Sequence, residues 1–206
     1  MPQVFVASRN AKKIAEMERI LAPLVPGVQV LGLGDLDASQ LYDEPVEDAA
    51  TFEGNSLLKA RAGFAATGLP SVADDSGICV DALNGMPGVL SARWSGKPKS
   101  DERNNTLLLE QLEDVPDERR TARFRSTVAF VFGEGPEGEI VVAGEMTGRV
   151  LREAHGGGGF GYDPLFVPDA ADGRTAAELS PEEKDAISHR GTAMREIAPR
   201  IAAILS

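Results

Sequence analysis

The sequence predicts an α/β fold, with a mixed central β-sheet flanked by helices and two lobes sharing that sheet. Three observations carry this: a βαβ-like opening, a pair of long strand candidates at 122–131 and 139–150, and a closing helix at 188–205. Early parallel connections followed by a hairpin are the signature of a mixed sheet.

The first strand is the apolar run Val4-Phe5-Val6-Ala7. Ser8-Arg9-Asn10 turns the chain, and Ile14, Met17, Ile20, Leu21 and Leu24 then recur at helical spacing. Pro23 and Pro26-Gly27 end the helix, and Val28-Gln29-Val30-Leu31 resumes a strand. Residues 35–50 are acidic and irregular. An amphipathic helix is predicted over 56–66, stopped by Gly68-Leu69-Pro70. Ser71-Val72-Ala73 then leads as a strand into Asp74-Asp75-Ser76-Gly77. A further helix is predicted over 104–112, and the Gly/Glu/Pro run at 133–138 turns the hairpin. Gly156 to Gly159 precede Phe160-Gly161-Tyr162-Asp163-Pro164. With no repeat or long linker, the 206 residues read as a single domain, 1–206, long enough to bury a core without disulfides.

Composition excludes several classes of function. Acidic residues outnumber basic ones by 32 to 21, a net charge of −11, which argues against polymeric nucleic acid as a partner. No stretch approaches the roughly 20 apolar residues of a membrane span, and the N-terminus lacks a basic segment followed by an apolar one. Neither export nor membrane anchoring is expected. The single Cys79 cannot form an internal bridge and suits a reducing cytoplasm. A small anionic ligand remains compatible, since it responds to nearby cations and to a bound metal more than to global charge.

Four segments could carry chemistry. The turn Ser8-Arg9-Asn10-Ala11-Lys12-Lys13 offers helix N-terminal amides and lysines to a triphosphate, although it lacks the glycine-rich P-loop pattern and by itself also reads as an ordinary capped helix. At Asp74-Asp75-Ser76-Gly77, adjacent carboxylates need a compensating cation, and Mg²⁺ is commonly held by one or two carboxylates plus substrate phosphates. One Asp could also take a proton from water. Alone, the same four residues equally read as a turn. The upstream acids 43–48 could supply a second carboxylate or simply form an acidic surface loop. Phe160, flanked by glycines, could stack on a base while Asp163 accepts hydrogen bonds, or the segment could be a tight turn with both aromatics buried. Lys184, His189 and Arg190 offer donors to phosphate or carbonyl oxygen, or form a solvated helix start.

In order along the chain stand Ser8-x-Asn10-x-x-Lys13, Thr51-Phe52-x-x-Asn55, Ala73-Asp74-Asp75-Ser76-Gly77, Gly88-x-x-Ser91-Ala92-Arg93-Trp94-Ser95-Gly96, Gly159-Phe160-Gly161-Tyr162-Asp163-Pro164, and Glu183-Lys184 with Ser188-His189-Arg190-Gly191. On these motifs, from Val4 to about Leu205, the chain closely resembles the non-standard purine nucleoside triphosphate pyrophosphatases, the inosine triphosphate pyrophosphatase family.

The resemblance implies two lobes with a substrate cleft between them, and a cytoplasmic, Mg²⁺-dependent homodimer that hydrolyses ITP, dITP and XTP to monophosphate and pyrophosphate. It also implies site roles. Ser8, Arg9, Asn10, Ala11, Lys12 and Lys13 would bind the phosphates. Asp75 would be the general base and a metal contact, and Ser76 would touch substrate. Phe160, Gly161, Tyr162 and Asp163 would hold base and sugar, with Lys184, His189 and Arg190 completing the pocket. One departure is Gly54, where the family usually has Glu before the Asn; Glu47 is then the expected second metal ligand, with Glu53 behind it. The alternatives are a pyrophosphatase of broader or pyrimidine specificity, and a non-catalytic nucleotide sensor, which the retained Asp74 and Asp75 disfavour.

Overall fold

A computed structural model describes residues 1–9, 11–35 and 44–206, with only the backbone described at Lys12 and Glu16. The strands are β1 (Gln3–Val6), β2 (Gln29–Leu31), β3 (Ser71–Val80), β4 (Thr121–Val131), β5 (Glu139–Val150) and β6 (Phe166–Pro168). The helices are α1 (Ala11–Leu21), α2 (Phe52–Thr67), α3 (Asp101–Gln111), α4 (Pro181–Ile187) and α5 (His189–Leu205). The strands make one sheet in the order β2-β1-β3-β4-β5-β6. β1 runs parallel to β2 and β3, whereas β5 and β6 pair antiparallel, so the sheet is mixed and the α/β class expected from sequence is the observed one.

The chain divides into two compact units. The first comprises Met1–Asp75, Thr127–Ala143 and Ala193–Ser206. Its strands alternate with period two, and every second residue enters a different core. Val4, Val6, Val72, Val128 and Phe130 join Met17 and Leu21 of α1 and Ile197 and Ile201 of α5. The intervening Phe5, Ala7, Ala73, Ala129 and Val131 pack with Ala60 of α2. The register, Phe5 opposite Ser71 and Val6 opposite Val72, keeps like parity on like face. Helices thus cover both sheet faces, as a parallel β1–β3 pair requires.

The second unit comprises Ser76–Ser126 and Gly144–Thr192. Its core gathers Ile78 and Val80 of β3, Leu108 and Leu112, Phe124 of β4, Met146 and Val150 of β5, and Tyr162, Leu165 and Phe166. Phe124 meets Phe166 edge-on at 4.7 Å and stacks on His189 at 5.0 Å. Arg120 is 2% exposed and satisfies three backbone carbonyls at once. Its guanidinium donates to the carbonyls of Leu112 (2.6 Å), Val150 (3.0 Å) and Leu151 (2.8 Å). Burial depresses its pKa, and it supplies donors for carbonyls that helix and strand ends otherwise leave unmet.

The elements differ from expectation in instructive places. The helix expected at 56–66 starts four residues earlier, because Thr51 caps it by accepting the Gly54 amide at 3.1 Å. Ser100 likewise starts α3 at Asp101 rather than Asn104. Helix α4 was not expected; Ser180 and Glu183 form a reciprocal capping box at its start. The largest correction concerns Asp74-Asp75-Ser76-Gly77, expected where a strand ends or turns, whereas β3 continues through it to Val80. Gly77 serves close approach rather than a turn: a Cβ there would lie 2.3 Å from Ser91 Oγ and 2.5 Å from the Gly88 carbonyl.

Candidate active site

The acidic pair sits mid-strand, so pleating sends Asp74 and Asp75 to opposite faces of β3. Each then meets a lysine from the helix covering its face. Lys13, in the first turn of α1, donates to Asp74 Oδ1 at 2.6 Å. Lys59, in the middle of α2, lies 3.5 Å from Asp75 Oδ1. Two carboxylates that would repel in a turn are separated by the strand and compensated individually.

Lys59 is 7% exposed and organises more than one acid. Its ammonium donates to Glu47 Oε1 at 2.6 Å and to the Asp74 carbonyl at 2.7 Å. One turn earlier on the same helix, Asn55 donates to Asp75 Oδ2 at 3.0 Å, and its Oδ1 accepts the Ala49 amide at 3.0 Å. Asn55 thereby fixes both the Asp75 carboxylate and the segment that delivers Glu47. The spacing of four residues puts Asn55 and Lys59 on one helix face.

The electrostatics follow from burial. Desolvation raises the Asp75 carboxyl above the ordinary carboxylate range. Lys59 and the Asn55 hydrogen bond pull it back, and Glu47 and Asp74 push it up again. Burial pulls the Lys59 ammonium down, but Asp75, Glu47 and Asp74 outweigh it and hold it above the usual lysine value. The result is a lysine held charged and a carboxylate ready to accept a proton.

Whether these residues suit a divalent cation can be judged from the donor set. Glu47 and Asp75 turn oxygens toward one ammonium, so both reach a single positive charge. Among the described residues, no three His, Cys, Asp or Glu side chains group as a protein-only cage. A pair of hard oxygen ligands fits Mg²⁺, which takes its remaining ligands from water and phosphate. Gly54 contributes no ligand, and a Cβ there would come within 2.6 Å of Ala49 Cβ.

The other residues of the first turn are placed as follows. Ser8 is half-buried, and its amide donates to the Val6 carbonyl at 2.7 Å. Arg9 is exposed and donates to Glu44 at 3.3 Å, and Ala11 opens α1. Asn10, the Lys12 side chain and Asp43 lie outside the described residues.

A second cluster belongs to the second unit. Phe160 is 56% exposed, an unusual state for a large aromatic. The Lys184 ammonium lies 5.1 Å and the Arg190 guanidinium 5.9 Å from its ring centroid, both within cation–π range. Asp163 is 3% exposed, and its Oδ2 accepts the Phe160 amide at 2.8 Å and the Lys184 ammonium at 2.5 Å. Arg190 also donates to Ser76 Oγ at 3.3 Å. His189 is buried on the face of Phe124. Tyr162 points the other way: it lies in the core, and its hydroxyl donates to the Ser91 carbonyl at 2.8 Å. That burial raises its pKa strongly.

Sequence reasoning left Lys59 unassigned and gave Asn55 no role beyond its place in a motif. A signal was present, in the Asn55-x-x-x-Lys59 spacing, which places both side chains on one helix face. Asp101 and Asn105, which touch Gly161, were not singled out either.

Fold and site together define a mixed-sheet α/β protein with a lysine–carboxylate centre and a separately built exposed aromatic. The chain belongs to the Ham1 family, whose model matches residues 4–200. A dITP/XTP pyrophosphatase of Nocardia farcinica is 61% identical over 205 residues, covering 99% of this chain and 97% of that one. The crystal structure of a nucleoside-triphosphatase/dITP/XTP pyrophosphatase of Mycobacterium abscessus is 54% identical at a TM-score of 0.78, covering 96% and 99%. A HAM1 protein structure from Coxiella burnetii, 37% identical, superposes at a TM-score of 0.90 over 98% and 100%.

Proposed function

We propose that the whole chain acts as one pyrophosphatase domain, hydrolysing dITP, ITP and XTP to the nucleoside monophosphate and pyrophosphate. The observation that carries this reading is Asp75, a buried strand carboxylate held by Asn55 and Lys59 and raised above its ordinary range, in a Ham1-family chain whose relatives are named dITP/XTP pyrophosphatases.

In this reading Glu47 and Asp75 would hold a magnesium ion beside the triphosphate. When bound, the ion neutralises phosphate charge that would otherwise repel the attacking oxygen. Asp75 orients a water and takes its proton as the water oxygen bonds to the α-phosphorus. The bond from that phosphorus to the bridging oxygen breaks, and pyrophosphate leaves with its charge met in part by Lys13. Lys59 opposes the burial that raises Asp75 and holds the Glu47 and Asp75 carboxylates in place. Phe160 supplies a stacking face for the purine, and Arg190 and His189 supply donors for a 6-oxo group. Against such donors the 6-amino group of adenine leaves one unpaired, a penalty of about 1–3 kcal/mol. No helix among the described residues is long and apolar enough to cross a membrane. The working assembly in this reading is a cytoplasmic homodimer.

The test is a substrate panel under one Mg²⁺ concentration. The expected result is that dITP, ITP and XTP exceed ATP and dUTP in kcat/KM by at least tenfold, the order of one lost donor pairing. Equal turnover of dUTP would overturn the purine specificity.

A further inference from the structure

Phe160 is exposed, yet the chain around it is fixed at every peptide. Gly161 adopts φ +62°. Its amide donates to Asp101 Oδ2 at 2.7 Å, and its carbonyl accepts from Asn105 Nδ2 at 3.0 Å. Asp101 and Asn105 stand four residues apart on α3, so one helix face grips the peptide groups on both sides of one residue. On the other side of the ring, the Phe160 amide is held by Asp163, against which Gly159 is packed so closely that a Cβ would lie 2.2 Å from Asp163 Oδ2.

Asn105 makes this grip at a cost. Its Oδ1 is buried and has no hydrogen-bond partner among the described residues. A group in that state is destabilising, so a residue chosen for stability alone would not be Asn. What Asn105 supplies is the donor to Gly161. Ordering an aromatic before a ligand arrives removes that cost from binding.

We propose that Asp101 and Asn105 are positioning residues that clamp Gly161 and so present the Phe160 ring as a preformed stacking face for the purine base. This rests on Phe160 being the stacking residue of the proposed function. The two residues act through the ring and not at the phosphates, so their loss raises KM and leaves kcat unchanged.

The experiment uses the full-length protein with dITP and Mg²⁺. Asp101→Ala and Asn105→Ala are each expected to raise KM about tenfold, the order of one base–aromatic stack, with kcat within about twofold. Asp101→Asn, which keeps an acceptor oxygen, restores KM to within about twofold. Glu102→Ala removes a neighbouring first-turn carboxylate of the same helix without touching Gly161, and leaves KM unchanged. In a Phe160→Ala background, Asp101→Ala has no further effect on KM. Amide exchange at Gly161 quickens in Asp101→Ala and not in Glu102→Ala. A tenfold KM rise from Asp101→Ala in both backgrounds, or unchanged Gly161 exchange, would overturn the clamp. If Phe160→Ala leaves KM unchanged while Gly161 exchange still quickens, the assignment is overturned through its stacking premise, with the clamp intact.

Discussion

Asp75→Asn is expected to lower kcat for dITP by about 10²–10⁴-fold, the range a positioned general base contributes, while the protein stays folded. The substitution is nearly isosteric. A carboxamide oxygen can still accept from Asn55, which donates at 3.0 Å in the native protein. The sign of the stability effect follows from the raised carboxyl. A carboxyl with a folded pKa above its unfolded value loses stability as pH rises from the unfolded to the folded value and bears the full cost above it, because the native state must then hold a charge that burial disfavours. Replacing it removes that cost and its repulsion with Glu47 and Asp74, which offsets the loss of the Lys59 contact. Initial rates and thermal unfolding on the same sample check both halves. Turnover near the native level in a folded Asp75→Asn protein would remove Asp75 from the role of base.

The second large effect is expected at Lys59. Lys59→Met keeps the length of the side chain but leaves Glu47, Asp75 and the Asp74 carbonyl without their shared donor. Breaking a buried ion pair by removing one partner costs about 3–5 kcal/mol, read as a shift in denaturant midpoint. Because the folded lysine lies above its ordinary value, its contribution is fully present below the ordinary lysine pKa and is lost only as pH rises through the folded value. The loss in the variant is therefore flat across neutral pH and shrinks in acid, where the carboxylates take protons. Removing the cation also raises Asp75 further, so the acid limb of the kcat/KM profile moves to higher pH. An unmoved acid limb would show that Lys59 does not set the ionisation of the base.

The fold was largely legible because its strands obey simple rules. The strand expected at 139–150 is observed as Glu139–Val150, and that at 122–131 as Thr121–Val131. Thr121–Ser126 and Val142–Val150 alternate with period two, and the turn-rich run at 133–138 separates the strands, which local sequence encodes directly. Reading Asp74-Asp75-Ser76-Gly77 as a turn failed because turn propensity is local, whereas the strand is held by Lys13 and Lys59, distant in sequence. Lys59 was hidden for the same reason: on an amphipathic helix a lysine reads as solvated until its carboxylate partners are placed beside it. Tyr162 and Phe160, two residues apart in one motif, could not be sorted by sequence into one buried and one exposed ring. That division depends on Ser91, which takes the Tyr162 hydroxyl, and on α3, which holds Gly161 between them. Ser180-Pro181-Glu182-Glu183 carried a readable capping box, so α4 was within reach of local reasoning.

In the proposed reaction Asp75 directs water to the α-phosphorus of a purine nucleoside triphosphate. Hydrolysis of dITP in ¹⁸O-labelled water, followed by mass analysis of both products, tests it most directly. One labelled oxygen is expected in the nucleoside monophosphate and none in pyrophosphate. Label appearing in pyrophosphate, or release of labelled orthophosphate, would contradict it.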